Sequence, residues 1–537
     1  MLRAPARLTP VLLSRPPSLV SPCAHRTMST RRAPPTPRSK PPLVAIVGTT
    51  GVGKTDLGVE LAKALSARTV APTRAEVLNH DSMQCYRGLD VITNKATAQE
   101  MRGVEHHLMG FLDPGSEWGV NDFLRDALAK IDELEQRETL PISVGGTSYY
   151  LQNLVFPGQL VNDVPSRPSS PTADLLPSAT PPSPPPPAAE PRTLDDIAHF
   201  PPSLRSSITS LPPELLSLFL SFPLLPQLSS PSSLPPSFPL ALLPPRLRSP
   251  DTLAPALFAL LRHVDPRSAE RWHWRDVRKV GRAVEILWTG RTWEDVREGQ
   301  RARPPEGARF RTLVFWLYAD NASLHPRLDA RVDKMIERGL LDEIDELWRI
   351  AHAPGAEPVD YSKGIYQAIG YKEFAPYLDL AHRSPSLTLD SSPEQRALFN
   401  EGVKRTKVAT RQYAKRQVKW IKGKLLPAVR TARDGAEGDE DVTVVLLDAS
   451  GAQHYLSRWG ENVRAPAVEL LHKFLDGSPL PDPTTLSPAA QTHLSPPSTA
   501  AAPHTKRACP TCTRDPARPF LVEERQWDAH LTSKTHR

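Results

Sequence analysis

Five consecutive apolar residues, Leu43-Val44-Ala45-Ile46-Val47, read as a buried strand, and the stretch from Asp56 to Ala67 reads as a helix. The exchange of patterns then repeats. Glu76-Val77-Leu78-Asn79-His80 is a second strand candidate, Val120 to Arg137 carries the repeat of an amphipathic helix, and Pro141-Ile142-Ser143-Val144 is a third strand. Such alternation predicts an α/β fold with a parallel sheet flanked by helices, in which ligands sit at the carboxyl ends of the strands. A further strand, Thr312 to Leu317, is expected to rejoin the sheet.

The pattern dissolves over 161–250, where Pro, Ser, Leu and Ala dominate and Pro184 to Pro187 follow one another. Proline donates no backbone hydrogen bond, so this Pro/Ser-rich insertion is expected to be mostly disordered, with a short helix over Pro213 to Phe222. Periodicity returns at Asp251. Leu260 to Arg291 reads as helical, Asp320 to Leu378 as several helices with Val332, Met335, Ile336, Leu340 and Ile344 as core, and Pro393 to Leu426 as one long helix. The expected division is a catalytic core in two parts, 41–160 and 251–319, split by the insertion at 161–250. A helical region at 320–430, a mixed segment and linker at 431–504 and a small module at 505–537 follow.

Composition adds direction. A formal charge of +7 favours an anionic partner. The long helix concentrates that charge: Arg396, Lys404, Arg405, Lys407, Arg411, Lys415, Arg416, Lys419, Lys422 and Lys424 accompany Phe399, Tyr413 and Trp420, a mix suited to phosphate contact and base stacking. No apolar run reaches the roughly eighteen residues of a membrane span, so a membrane partner is not expected, and the protein is expected to act as a monomer. Residues 1–40 contain arginines and no acid, the composition of a mitochondrial presequence, while Met28 offers a second start; dual mitochondrial and cytoplasmic or nuclear targeting is the expectation. Cys23 and Cys85 stand alone, which argues against a disulfide framework.

Each of the first three strand candidates ends in a loop with chemistry. After Val47 comes Gly48-Thr49-Thr50-Gly51-Val52-Gly53-Lys54-Thr55, a P-loop whose backbone N–H groups cradle phosphates, with Lys54 on the terminal phosphates and Thr55 on a magnesium ion. The other two loops are Asp81-Ser82-Met83-Gln84 and Gly145-Gly146-Thr147. Near the end, Cys509 and Cys512 precede His530 and His536; two thiolates and two imidazoles suit tetrahedral zinc in a small finger.

Taken with D-S-M-Q-C-Y-R-G-L-D-V-I-T-N-K at 81–95, H-H-L at 106–108, V-G-G-T-S-Y-Y-L-Q at 144–152, D-V-R-K-V-G-R-A-V-E-I at 276–286, G-I-Y-Q-A-I-G-Y-K-E-F at 364–374 and T-R-Q-Y-A-K-R-Q at 410–417, the chain resembles the tRNA dimethylallyltransferases. I-T-N-K and the finger resemble the eukaryotic branch. The resemblance implies transfer of a dimethylallyl group from dimethylallyl diphosphate to N6 of adenine 37, in the anticodon stem-loop of tRNA. In that reading Asp81 is the general base, Gln84 has the amide donor and acceptor needed to read an adenine edge, Thr147 adds a hydrogen bond and Arg282 joins Lys54 on the diphosphate. Asp81, Ser82, Met83, Gln84, Arg278, Lys279, Arg282, Gln367 and Lys372 match family positions near the RNA. An adenylate isopentenyltransferase and a P-loop kinase or NTPase are the alternatives; the basic helix and finger argue against the first, and the lack of a recognisable second acid against the other.

Overall fold

A computed structural model describes residues 40–158, 160, 192–225, 243–302, 307–353, 359–361, 363–386, 389, 391–435, 441–451, 458–495, 506–513, 515–516, 519–533 and 536. The leader reading at 1–40 lies outside them except for residue 40. Six parallel strands form the central sheet: β1 (Pro42–Gly48), β2 (Arg74–Asn79), β3 (His106–His107), β4 (Thr139–Val144), β5 (Arg311–Tyr318) and β6 (Val442–Asp448). Their order is β3-β2-β4-β1-β5-β6, so β1 lies between β4 and β5.

Both faces of this sheet are covered, which is why its strands read as unbroken apolar runs. Val44, Ile46, Phe315 and Val445 face α1 (Lys54–Leu65) and a late helix, Ala465–Leu475. Leu43, Ala45, Val47 and Trp316 face α2 (Val120–Gln136) and α3 (Ser148–Val155). The alternation of faces along β1 is the two-residue period of a strand.

Two findings depart from the sequence expectations. Residues 192–225 and 243–250, within the stretch expected to be mostly disordered, fold: α4 (Pro202–Thr209) joins α5 (Pro213–Ser221), the short helix expected over Pro213 to Phe222, and both pack on α6 (Pro250–Val264) and α7 (Val277–Leu287). Ile197, Leu204, Ile208, Leu218 and Phe219 meet Leu257, Leu261, Val280 and Val284 in a separate core. The prolines here open helices, at positions whose N–H groups have no intrahelical partner. Secondly, β6 comes from the segment read as mixed and extends the sheet beyond β5.

A further core joins α8 (Asn321–Glu337), α9 (Leu340–Ala351), α10 (Tyr371–Arg383) and the loop of Cys85 to Ile92. The long basic helix α11 (Pro393–Trp420) continues into a wide turn at Ile421–Leu425. Its buried face is small and polar, with Gly402, Thr406, Thr410, Ala414 and Gln417 one turn apart. Thr406 and Thr410 satisfy their hydroxyls on the carbonyls four residues back, each at 2.8 Å.

Candidate active site

The loops after β1, β2 and β4 meet at one end of the sheet, under α8 and α11, around a cavity of about 750 Å³. At its phosphate-loop end Gly53 takes a left-handed φ of 93° and opens α1, whose N-terminus carries the positive end of the helix dipole. Lys54 Nζ donates to the Thr49 carbonyl at 2.8 Å. Burial pulls the Lys54 ammonium down to about 8; Asp81 opposes that shift and Arg331 adds to it.

The second loop is held by its own side chains. Asn79 accepts from Asp81 N at 2.9 Å and donates to the Leu108 carbonyl at 2.8 Å, joining it to H-H-L. One Asp81 oxygen, Oδ1, accepts from Met83 N at 3.0 Å. Oδ2 faces the glycine loop: a Cβ on Gly146 would stand 2.8 Å from it and 2.7 Å from Gln417 Nε2, so only glycine lets these groups approach. Thr147 precedes α3 but does not cap it; its hydroxyl accepts from Ser82 N at 3.1 Å and donates to Ser82 Oγ at 3.2 Å. Behind them His80 is fully buried with Nδ1 2.8 Å from Ser143 Oγ, and burial, with Lys54 nearby, lowers its pKa to about 3. It is neutral.

Gln84 presents half of its amide. Its NH₂ donates to the Thr93 and Asn94 carbonyls at 3.3 and 3.1 Å, which leaves Oε1 as the group available to a ligand. The expectation that both donor and acceptor read a base edge is corrected accordingly.

Of the sequence candidates, Thr50, Gly51, Gly53, Lys54, Thr55, Asp81, Ser82, Met83, Gln84 and Gln367 line the cavity. Thr49 and Val52 are buried beneath it, and Gly48 ends β1. Arg278, Lys279 and Arg282 do not line it: they lie on α7, where Lys279 pairs with Asp276 at 2.6 Å and Arg282 with Glu285 at 2.8 Å. Lys372 borders a separate groove with Lys404 and Arg405.

Two contributors escaped the sequence reading. Gln417, on the face of α11 turned inward, accepts from Thr50 N at 2.8 Å and donates to the Gly146 carbonyl at 3.1 Å, bridging the first and third loops. Arg327, Arg331, Lys334 and Arg338 also line the cavity, along one stripe of α8 and just beyond it. Arg327 donates to Ala449 and Gly451 carbonyls at 2.9 and 3.2 Å. Among the described residues Arg331 has no such hydrogen bond or ion pair, and burial brings its guanidinium down to about 10, against the pull of Asp81. The spacing of this stripe, four, three and four residues, was visible beside the apolar positions read as core.

The C-terminal cluster stands apart. Cys512 Sγ lies 3.5 Å from His530 Nε2 and 3.6 Å from His536 Nδ1, and Cys509 Sγ 3.5 Å from that same Nδ1. Tetrahedral ligands at zinc bond lengths are separated by about 3.5 Å, so the four can hold a metal ion. They are carried by a two-stranded hairpin, Lys506–Ala508 and Leu521–Glu523, and a short helix, Trp527–Leu531.

The family model described as IPP transferase matches residues 84–177 and 244–424, and that described as Isopentenyl transferase matches 41–111. The tRNA dimethylallyltransferase of Schizosaccharomyces pombe is 32% identical over 92% of this chain and 94% of its own length. That of Homo sapiens is 29% identical over 92% and 85%. A solved structure described as a eukaryotic dimethylallyltransferase acting on tRNA superposes with a TM-score of 0.62 at 26% identity, covering 92% of this chain and 95% of the other. Likeness that runs from the phosphate loop through α11, and in the eukaryotic relatives over nearly the whole length, means that the chain belongs to the tRNA dimethylallyltransferase family, in its eukaryotic type.

Proposed function

We propose that the protein transfers the dimethylallyl group of dimethylallyl diphosphate to N6 of adenine 37, beside the anticodon of its tRNA substrates. The observation that carries this reading is one cavity with cations and a phosphate loop at one end and Asp81 with Gln84 along its wall. The N6 lone pair attacks the allylic carbon, the carbon–oxygen bond breaks with its electrons passing to diphosphate, and the N6 proton goes to Asp81. Met83 N–H fixes one oxygen of that carboxylate, and Oδ2 is the base. Thr147 acts at the reaction centre through the Ser82 hydroxyl it is bonded to.

Charge on departing diphosphate is met by the loop N–H groups, Lys54 and Arg331. The role expected of Arg282 is proposed for Arg331: an ionised guanidinium that borders the cavity with no paired carboxylate among the described residues needs an anion, whereas Arg282 has Glu285. Thr55 and Asp56 offer oxygen donors to a magnesium ion, which would neutralise diphosphate oxygens when bound.

Adenine 37 must leave its stack to reach Asp81, and α11 with Arg416, Tyr413 and its outward lysines supplies the phosphate and stacking contacts for the loop so opened. Arg278, Lys279 and Lys372 would grip RNA outside the reaction centre, and Gln367 would contact it at the cavity wall. The cysteine–histidine cluster is read as a structural zinc site. Among the described residues 506–536 only Cys509, Pro519 and Val522 are buried. At about 1.5–3 kcal/mol per buried side chain they cannot offset an ordering cost of about 1–2 kcal/mol per residue, so metal binding must supply the difference. Residues 1–40 would direct one pool to mitochondria, and initiation at Met28 would leave another in the cytoplasm or nucleus.

One assay tests the reaction. tRNA carrying adenines at 36 to 38, dimethylallyl diphosphate and magnesium, with no nucleoside triphosphate, should yield the prenylated nucleoside by mass; ATP hydrolysis without prenyl transfer overturns the reading.

A further inference from the structure

Glu343 lies in the first turn of α9, yet its carboxylate is directed away from its own helix. It accepts from Val91 N at 2.8 and 3.0 Å, through its two oxygens, and from Ile92 N at 2.8 Å. Charge-assisted bonds of this kind are about twice as strong as neutral ones. Val91 and Ile92 are buried, so loss of the carboxylate would leave two amide N–H groups without partners in an apolar setting.

These two residues open the turn that holds Gln84. The next carbonyls, of Thr93 and Asn94, receive both hydrogens of the Gln84 amide. Asn94 sits at a left-handed φ of 50°, and its side chain donates to Met335 Sδ at 3.2 Å. At the far end Lys95, buried, donates to Asp90 at 2.8 Å and to the Gly88 carbonyl. Two carbonyl acceptors can face an amide only through its nitrogen, so the turn decides which way Gln84 points.

We propose that Glu343 is a positioning residue which, through the backbone of residues 91–94, holds Gln84 with its oxygen toward the cavity and thereby sets purine selectivity. An acceptor oxygen matches the N6–H of adenine and opposes the O6 of guanine or hypoxanthine. The inference rests on the prenyl-transfer reading for the identity of the ligand, but its test measures binding.

Anticodon stem-loops carrying adenosine, inosine or guanosine at position 37 should compete for the full-length wild-type protein with adenosine preferred by about 10-fold or more. Glu343→Ala should bring this preference close to one while the KM for dimethylallyl diphosphate stays unchanged, and Glu343→Gln should fall between. In a Gln84→Ala background Glu343→Ala should add no further loss, because the two act as one unit. An absent wild-type preference, a preference unchanged in Glu343→Ala, or equal losses in both backgrounds overturns the proposal. Thermal unfolding is measured for every variant; should Glu343→Ala not fold, Glu343→Gln carries the same cycle under the same criteria. A wild-type protein that discriminates among the stem-loops without prenylating adenosine would refute the reaction and leave the role of Glu343 to be judged on binding.

Discussion

The cavity and the C-terminal cluster hold their functional groups by opposite means. Around the cavity, one core on either side of the sheet provides the stability, so the site can display Arg331, a cation with no hydrogen-bond or ion-pair partner among the described residues, and a carboxylate with one oxygen fixed. In the cluster four side chains that can hold a metal ion sit on a short hairpin and a short helix with little apolar core of their own. Under the proposed zinc reading, chemistry and stability are separable in the first region and inseparable in the second.

The sharpest way to break that contrast is Asp81→Ala. If Asp81 is the base, kcat should fall by about 10²- to 10⁴-fold with little change in tRNA affinity or melting temperature. A large drop in melting temperature at unchanged kcat would make the residue structural. Next in size, Arg331→Ala should raise the KM for dimethylallyl diphosphate about 10- to 100-fold, as expected for charge-assisted bonds of about 1.5–3 kcal/mol. Arg282→Ala should have a smaller effect, and the reverse order would return the diphosphate role to α7.

Lys54 gives a pH test with a defined sign. Its pKa in the folded protein, about 8, lies below its ordinary 10.5, so the folded state gives up this proton before the unfolded state does. The charged, buried ammonium therefore costs stability below pH 8, and that cost is relieved as pH rises through the window to 10.5. Over the same window diphosphate should lose its cation, with KM rising by about tenfold per pH unit in steady-state assays. Lys54→Arg, which keeps its charge, should flatten the rise. The smallest expected effect belongs to the cluster: chelation, or Cys512→Ala, should melt residues 506–536 in hydrogen exchange and weaken tRNA affinity several-fold, leaving saturated turnover and the unfolding of the sheet nearly unchanged. Loss of saturated turnover with binding intact would instead tie this module to the reaction centre.

What could be read from the sequence was local. The phosphate loop, Asp81 to Gln84, and Cys509 with Cys512 are contiguous or closely spaced, and their chemistry depends on that spacing. Gln417 was quoted as part of a motif without a role, because its two partners lie 367 and 271 residues away. Of the folded part of the insertion only the helix opened by Pro213 was legible; Pro202 and Pro250 suggest breaks in the sequence, though each starts a helix whose apolar residues face the same core. In β6, Val442 to Leu447 is as apolar as β1, but it follows the acidic and glycine-bearing run Asp434 to Asp441 and carries no motif.

The Gln417 bridge has a consequence for the order of events. One amide on α11, the helix proposed to contact RNA, holds a backbone N–H of the phosphate loop and a carbonyl of the loop beside Asp81. Under that proposal, a movement of α11 on gripping an anticodon loop would be shared by both halves of the reaction centre. By reciprocity, whatever tightening RNA confers on diphosphate, diphosphate must confer on RNA, so the two substrates report on each other across a single side chain.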